Sequence, residues 1–215
     1  MNKISKILLA VFTMLVPQII SASEDELLVF IGTYVDVKEW PYSEEYLAEC
    51  NCVVMDLRFK AKYEVKKVLY GEYLEQEITF TVHDHYGFPE FAKQKSSIIY
   101  LVKSKEHFGH LKYAWDPVSP IESGGYASCE DETLLDEEHH DKVKNYSFKP
   151  PIEVDLRHAS EYVINDYKRD PMYRVEGSKA TCIKGISAED LFEIKWPQII
   201  EDYKLEGKEL VNVVE

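Results

Sequence analysis

Residues 57–66, with the sequence LRFKAKYEVK, alternate strictly between two kinds of side chain. Every second residue is apolar or aromatic, and every residue between them is charged. Because successive side chains of a strand point to opposite faces, this pattern is typical of a strand with one buried and one solvated face. Half-buried strands of this kind are common in antiparallel sheets. The segment therefore predicts an antiparallel sheet that covers a core on one side.

Three further segments predict strands around this one. Residues 27–38 are β-branched and aromatic, residues 78–83 alternate between apolar and polar side chains, and residues 98–102 (IIYLV) form an apolar run typical of a central strand. Turns are expected at Gly71 and at residues 85–89. About five short antiparallel strands with turns between them predict a small β-barrel or sandwich.

The C-terminal part of the chain has a different pattern. Residues 121–215 predict a loop-rich, helical extension packed on a barrel of residues 24–120, so the expected fold is mainly β with an α-helical extension, α+β overall. Ser187 stands before acidic residues, as a helix N-cap does. Pro197 predicts a kink or a division into two short helices, and another helix is expected within residues 155–168. A packed helix face is predicted by the spacing of Phe192, Trp196, Ile199, Ile200 and Tyr203.

The first 23 residues predict an export signal. Lys3 and Lys6 precede an apolar run at residues 7–20, and the small residues 21–23 suit a signal peptidase. The run is about 14 residues long, shorter than the roughly 20 that a membrane-spanning helix needs. We therefore expect an exported protein, periplasmic or secreted, without stable membrane insertion once residues 1–23 are removed.

The charge of the chain limits its partners. It has 25 Lys and Arg against 39 Asp and Glu, a net charge of −14. The predicted signal holds two of the lysines and none of the acids, so the mature chain has a charge of 23 − 39 = −16. Such acidity argues against binding to nucleic acid and to anionic membrane surfaces, both of which need basic patches. The sequence also has no Gly-x-Ser-x-Gly, no His-Glu-x-x-His and no phosphate-binding Gly-rich loop, which favours a non-catalytic role.

The chain has four cysteines, Cys50, Cys52, Cys129 and Cys182. In an oxidising compartment an even number predicts two disulfides. A bridge between Cys50 and Cys52 would close a small strained ring, so we expect each of them to pair with Cys129 or Cys182. A Cys-x-Cys thiolate metal site is the alternative, although it lacks the paired Cys-x-x-Cys spacing of zinc sites.

Three sequence patterns carry a family resemblance. They are an apolar strand that ends in Gly, a strand of the form F-x-A-x-Y-x-V and the sequence V-L-x-G. The matching positions are Phe30, Ile31, Gly32, Phe59, Ala61, Tyr63, Val65, Val68, Leu69 and Gly71. This combination resembles the netrin-module superfamily, which contains the tissue inhibitors of metalloproteinases. The resemblance covers about residues 27–118 and implies a five-stranded OB-type barrel. The turn Asp84-His85-Tyr86-Gly87 also looks like that of uncharacterised exported bacterial proteins of this type.

The resemblance makes a protease inhibitor one alternative function. In the inhibitors a Cys-x-Cys begins the mature chain, and its terminal amine and carbonyl chelate the zinc of the protease. Here Cys50-Asn51-Cys52 lies well inside the mature chain. The chelating mechanism of the family therefore does not carry over to these residues.

The sequence His83-Asp84-His85 is a candidate metal site. Residues two apart on a strand share a face, so His83 and His85 predict a shared divalent metal if His107, His110 or the acidic loop supplies a third ligand. The alternative is that His83 belongs to the solvated face and that His85 supports the turn through a hydrogen bond to the backbone. For His139 and His140 we expect an exposed, charged loop.

The same turn is also the candidate binding surface. Two large aromatics, Tyr113 and Trp115, precede another turn, and exposed aromatics near the turn at residues 84–88 would form a binding patch. We therefore expect an exported, non-catalytic binding module for an unknown protein or envelope component, without a cofactor. The alternative is a metal-binding and possibly hydrolytic protein. The candidate binding residues are Asp84, His85, Tyr86, Tyr113 and Trp115.

Overall fold

The computed structural model describes residues 26–50, 53–104, 107–129 and 137–205. Five of its strands close into a barrel in the order β1-β2-β3-β5-β4. The predicted signal peptide lies outside the described residues. The barrel strands are β1 (Glu26–Glu39), β2 (Leu57–Tyr70), β3 (Glu77–Asp84), β4 (Ser96–Ser104) and β5 (His107–Pro117).

The predicted fold class, an OB-like β-barrel with a helical C-terminal extension, is confirmed. One detail differs, because β3 and β5 pair in parallel at Thr81 and Gly109, whereas the other pairs in the barrel are antiparallel. The barrel is therefore mixed and not antiparallel throughout. Alternation along a strand reports which face is buried, but it carries no information on the direction of the strand's neighbour.

The alternation that defines β2 follows the wall of the barrel. Phe59, Ala61 and Tyr63 lie in the core, and the charged residues between them face outward. A short 3-10 helix, Glu90–Lys93, places Phe91 in the same core, where its ring centre lies 5.9 Å from that of Tyr63. Each fully buried aromatic side chain of this kind contributes roughly 1.5–3 kcal/mol of hydrophobic stabilisation.

The first half of β1 and most of β4 are buried on both faces. Leu28 and Phe30 of β1 point into the barrel, whereas Val29 and Ile31 belong to a second core outside it. This second core includes Ile98 and other residues of β4, which explains the fully apolar run at residues 98–102. A strand that packs on both sides has no polar face to display.

The extension contains more strands than its sequence predicts. They form two small sheets, in the orders β6-β7-β12-β8 and β10-β11-β9. The strands have two to four residues each, too few for an alternating pattern to be recognised. They are β6 (Ser119–Pro120), β7 (Tyr126–Ser128), β8 (Lys144–Asn145), β9 (Glu153–Asp155), β10 (Tyr173–Glu176), β11 (Lys179–Cys182) and β12 (Lys184–Ser187).

The described residues also contain three α-helices, α1 (Glu44–Cys50), α2 (Glu161–Arg169) and α3 (Ala188–Leu205), and a second 3-10 helix, Glu137–Lys142. His139 and His140 lie in this 3-10 helix and not in the predicted loop. The predicted N-cap of α3 is confirmed, because the Asp190 amide donates to Ser187 Oγ at 3.1 Å. The division into two short helices is wrong, since α3 continues through Pro197. Its apolar residues pack on the second core, over β1 and β4. None of the described helices is long and apolar enough to cross a bilayer.

One disulfide joins Cys129, which follows β7, to Cys182 of β11. The predicted pairing of each of these cysteines with Cys50 or Cys52 is therefore wrong. The strand order explains the observed pair: β12 follows β11 almost directly and pairs with β7 at Ile186 and Ser128. Cys50 is itself disulfide-bonded, and Cys52 lies outside the described residues.

A buried ion pair fixes α3 to the barrel. Asp116 of β5 is only 1% exposed, and its carboxylate accepts hydrogen bonds from the Tyr100 hydroxyl at 2.7 Å and from the Lys195 ammonium at 2.5 Å. A second ion pair, Lys67 with Glu189 at 2.6 Å, joins the same helix to β2 on the surface. Both pairs connect α3 to the barrel, one at β5 and the other at β2, and they differ in burial.

We expect Lys195→Met to lower the free energy of unfolding by about 2–3 kcal/mol, because a buried carboxylate loses an ion-pair partner. Lys67→Met serves as the matched control and is expected to cost less than about 1 kcal/mol, since both partners of that pair are exposed. Urea unfolding followed by tryptophan fluorescence measures both. Equal losses in the two variants would show that burial of Asp116 does not determine how firmly α3 is held.

Candidate functional site

Three of the predicted binding residues, His85, Tyr86 and Tyr113, lie on the surface near the start of β2. Two groups of side chains meet there. The first, which we call the column, consists of Lys60, Trp40, Arg58, Tyr42 and Tyr46. The second, which we call the ring, consists of Asp56, Lys112, Tyr113, Tyr86 and His85.

The column alternates cations with aromatic rings. The Arg58 guanidinium lies 3.8 Å from the ring centre of Trp40 and 4.2 Å from that of Tyr42. The Lys60 ammonium lies 4.0 Å from the Trp40 ring centre, and Tyr46 stacks on Tyr42 at 5.2 Å. Each cation–aromatic contact at a partly exposed site contributes about 0.5–1 kcal/mol. The column is therefore a preformed structure whose rings are held in place.

Arg58 also fixes the connection that follows β1. Its Nε donates to the Trp40 carbonyl at 2.9 Å, and its Nη2 donates to the Pro41 carbonyl at 3.1 Å. A guanidinium can stack and donate in its plane at the same time, which a lysine ammonium cannot do. The aromatic residues of this connection are thus attached to β2 through one side chain.

His83 lies beside the column. It pairs with Arg58 across β2 and β3, and its Nδ1 is 3.1 Å from the Tyr42 hydroxyl. Burial, and then the positive charge of Arg58, lower the pKa of His83. The imidazole is therefore neutral at pH 7. Among the described residues its buried Nε2 has no hydrogen-bond partner.

The ring is a closed circuit of contacts. The Asp56 carboxylate accepts a hydrogen bond from Lys112 Nζ at 2.7 Å and lies 3.5 Å from His85 Nδ1. Lys112 lies 5.2 Å from the ring centre of Tyr113, whose centre is 5.7 Å from that of Tyr86. The rings of Tyr86 and His85 close the circuit at 5.4 Å. Burial is the largest single influence and lowers the pKa of Lys112, but the hydrogen bond to Asp56, the charge of Asp56 and the contact with Tyr113 together outweigh it, so the pKa is raised overall.

A wide bulge in β5 presents two members of the ring. The pairing of β4 with β5 moves from Ile99–Trp115 to Leu101–His110, so one residue of β4 faces four residues of β5. Tyr113 lies in the bulge with φ of 65°, a left-handed conformation that costs a residue with a side chain about 1–2 kcal/mol. Strained backbone of this kind concentrates at functional sites. The bulge directs Lys112 towards Asp56 and leaves Tyr113 about half exposed.

The predicted binding residues have different roles in this arrangement. Tyr86 is 85% exposed and belongs to the ring with Tyr113 and His85. Asp84 is buried, and its carboxylate accepts a hydrogen bond from the Tyr86 amide at 2.8 Å, which shapes the turn. Trp115 packs against the barrel core and is only partly exposed. Sequence reasoning did not identify Trp40, Tyr42, Asp56, Arg58, Lys60 or Lys112.

His85 makes a backbone contact, since its Nδ1 lies 3.1 Å from the Met55 carbonyl, but this carbonyl lies before β2 and not in the turn. The placement of His83 on the solvated face is wrong, because its ring is partly buried. The metal site with His83 stays a prediction. The described residues contain no group of three or more His, Cys, Asp and Glu side chains arranged to hold a metal ion. His110, one proposed third ligand, lies in the barrel core, with its ring centre 4.7 Å from that of Phe91. The cations Arg58 and Lys112, which oppose protonation of His83, oppose a bound metal cation for the same reason.

No protein-family profile matches the chain, and no curated protein or solved structure matches it significantly. The resemblance to the netrin-module superfamily therefore stays a prediction.

The left-handed backbone of Tyr113 gives a prediction about stability. We expect Tyr113→Gly to be more stable than Tyr113→Ala by about 1 kcal/mol, because glycine adopts positive φ without steric cost. Both variants lose the same aromatic contacts, so the difference reports the backbone alone. At Thr79, an exposed residue in regular β3, the order should reverse, with alanine more stable than glycine. Chemical denaturation of the four variants measures this, and the same order at both positions would contradict it.

Burial of His110 predicts a pH dependence of folding. Burial lowers its pKa from 6.5 to about 4, although the hydrogen bond to the Ala114 carbonyl opposes this shift. Between these values the unfolded chain binds a proton that the folded chain does not, so stability is greatest above pH 6.5 and falls as the pH approaches 4.

We expect His110 to lower the free energy of unfolding by about 2 kcal/mol between pH 7 and pH 4.5. His110→Leu should remove that part of the pH dependence, whatever its effect on stability at pH 7. Urea unfolding at the two pH values measures both proteins. A pH dependence of equal size in the variant would show that His110 keeps an ordinary pKa in the folded protein.

Proposed function

We propose that the chain is an exported, non-catalytic binding module that engages a protein partner through the column and the ring. The observation that carries the proposal is the concentration of exposed aromatic rings and cations around the strained backbone of Tyr113. Tyrosine, tryptophan and arginine are the side chains that contribute most to protein–protein binding energy. These three residue types account for six of the ten side chains in the two groups.

The internal contacts of the site support recognition over catalysis. Arg58 is occupied by backbone carbonyls and two rings, and Asp56 divides its carboxylate between Lys112 and His85. Side chains that hold one another lose little conformational freedom when a partner binds, so less binding energy is spent on ordering them. The site is thus suited to bind a partner as a rigid contact surface.

Two observations support export, one from the sequence and one from the fold. The N-terminal residues have the pattern of a signal peptide. The Cys129–Cys182 disulfide suits an oxidising compartment, where such bonds persist. We therefore expect the partner to be a protein of the cell envelope or its surroundings.

The proposal predicts position-specific cross-linking in producing cells. A photoreactive phenylalanine analogue in place of Tyr86 should form a cross-linked product of defined mass with one partner, because this side chain is 85% exposed within the ring. The same analogue in place of Tyr162, which is 76% exposed on α2, serves as the matched control and should not give that product. Immunoblotting and mass spectrometry of the exported fraction identify the products.

Equal cross-linking from both positions would contradict the proposal, since it would report exposure alone. The absence of any product from Tyr86, Tyr113 and Tyr42 would also contradict it. Tyr113→Gly offers a further check, because it removes one aromatic side chain from the binding surface and also relieves backbone strain. In that variant the cross-link from Tyr86 should weaken although the protein stays folded.

A further inference from the structure

We infer that the partner segment is acidic and carries carboxylates next to an apolar side chain. This inference rests on the proposed function and specifies the chemistry of its partner. The first observation is local charge. The ten side chains of the column and the ring include three cations, Arg58, Lys60 and Lys112, and one carboxylate, Asp56, whereas the acids of α1 lie outside these two groups and the whole chain has a net charge of −14.

The second observation is the state of these cations. Other lysines of β2 have acidic partners within the chain: Lys62 pairs with Glu77, Lys66 with Glu64 and Lys67 with Glu189. Within the described residues, no carboxylate pairs with Arg58 or Lys60, although α1 next to Tyr42 carries Glu44, Glu45 and Glu49. The exposed Lys60 ammonium instead lies over the Trp40 ring. Arg58 donates to backbone carbonyls, but within the described residues no carboxylate offsets its charge or that of Lys60, so both charges can attract carboxylates from another molecule.

The third observation is an exposed apolar ledge beside the ring. Val53, Met55 and Leu57 occur at every second position before Phe59, and they are 89%, 69% and 46% exposed. Leu57 pairs with Asp84, and the Met55 carbonyl lies 3.1 Å from His85 Nδ1, so the ledge adjoins the ring. A partner segment that lies across both features would place apolar side chains on the ledge and its carboxylates at Lys60 and Arg58.

The aromatic contacts favour this partner over single-stranded nucleic acid. Binding of nucleic acid on such a face depends on bases that stack on open aromatic rings. Here Arg58 and Lys60 lie over Trp40, and Arg58 and Tyr46 lie over Tyr42. These ring faces are already occupied within the chain, so the column offers charge and ring edges in place of stacking platforms.

The test is a selection from random dodecapeptides displayed on phage, with the exported protein immobilised. We expect enriched peptides to contain Asp or Glu next to Leu, Ile, Phe, Trp or Tyr. Fluorescence anisotropy with a labelled enriched peptide should show at least a tenfold loss of affinity in Lys60→Glu and a smaller loss in Lys60→Gln. Lys168→Glu, at an exposed lysine of α2, is the matched control and should bind like the unchanged protein.

Several outcomes would overturn the inference. Enriched peptides without acidic residues would do so, and so would equal affinities of the Lys60→Glu and Lys168→Glu variants. If such peptides still lose affinity in Tyr86→Ala, the proposed binding surface stands and only the acidic partner is rejected. Binding of a labelled oligothymidylate that is lost in Lys60→Glu would replace the acidic segment by nucleic acid. A selection without any enriched peptide overturns the inference, and the proposed function also fails if no cross-link forms at Tyr86.

Discussion

The architecture depends on one constraint: strand β1 carries apolar side chains on both faces. Leu28 and Phe30 fill the barrel, and Val29 and Ile31 would face water if nothing covered them. Closing the barrel buries only the inner set, so the outer set requires a second layer. Helix α3 supplies this layer, and the Asp116–Lys195 ion pair fixes it to β5. The distribution of apolar side chains therefore explains both walls of the barrel. The wall with outward apolar residues is covered by α3, and the wall of β2 and β3 carries polar and charged residues.

Because α3 covers the other wall, we propose that the charged wall serves recognition. On the charged wall, one backbone irregularity produces the ring. The bulge in β5 places Lys112 and Tyr113 outside the regular pairing with β4, in which successive side chains would alternate between the two faces of the sheet. Bulges redirect side chains in this way and are common beside binding sites. The strain at Tyr113 is tolerated because the Ala114 carbonyl is tied to the buried ring of His110.

The long strands could be predicted from the sequence because their side chains alternate over many residues. Leu57 to Lys66 is the clearest case, and the apolar run at residues 98–102 correctly indicated a strand, which the structure shows to be buried on both faces. The strands of the extension are too short to show a period, and the pairing of Cys129 with Cys182 depends on the contact between β7 and β12, which no local pattern encodes. The turn at Tyr86 was found from its residue types. The column was missed because Arg58 and Lys60 look like ordinary solvated residues of an alternating strand, and only the path of the chain after β1 brings Trp40 and Tyr42 onto them.

The parallel junction of β3 and β5 is the place where the barrel is held by the fewest paired residues. These strands meet at the pair Thr81–Gly109, whereas β2 and β3 are joined at eight paired positions from Leu57 to Glu64. The β3–β5 junction therefore has the fewest paired residues in the barrel. The ring spans this seam, because His85 and Tyr86 follow β3 and Lys112 and Tyr113 lie in β5. A molecule that grips both sides of this seam favours the closed barrel over states in which the strands separate, because it binds only the former. Binding at the ring and closure of the barrel are therefore thermodynamically linked, so that a bound partner stabilises the closed barrel.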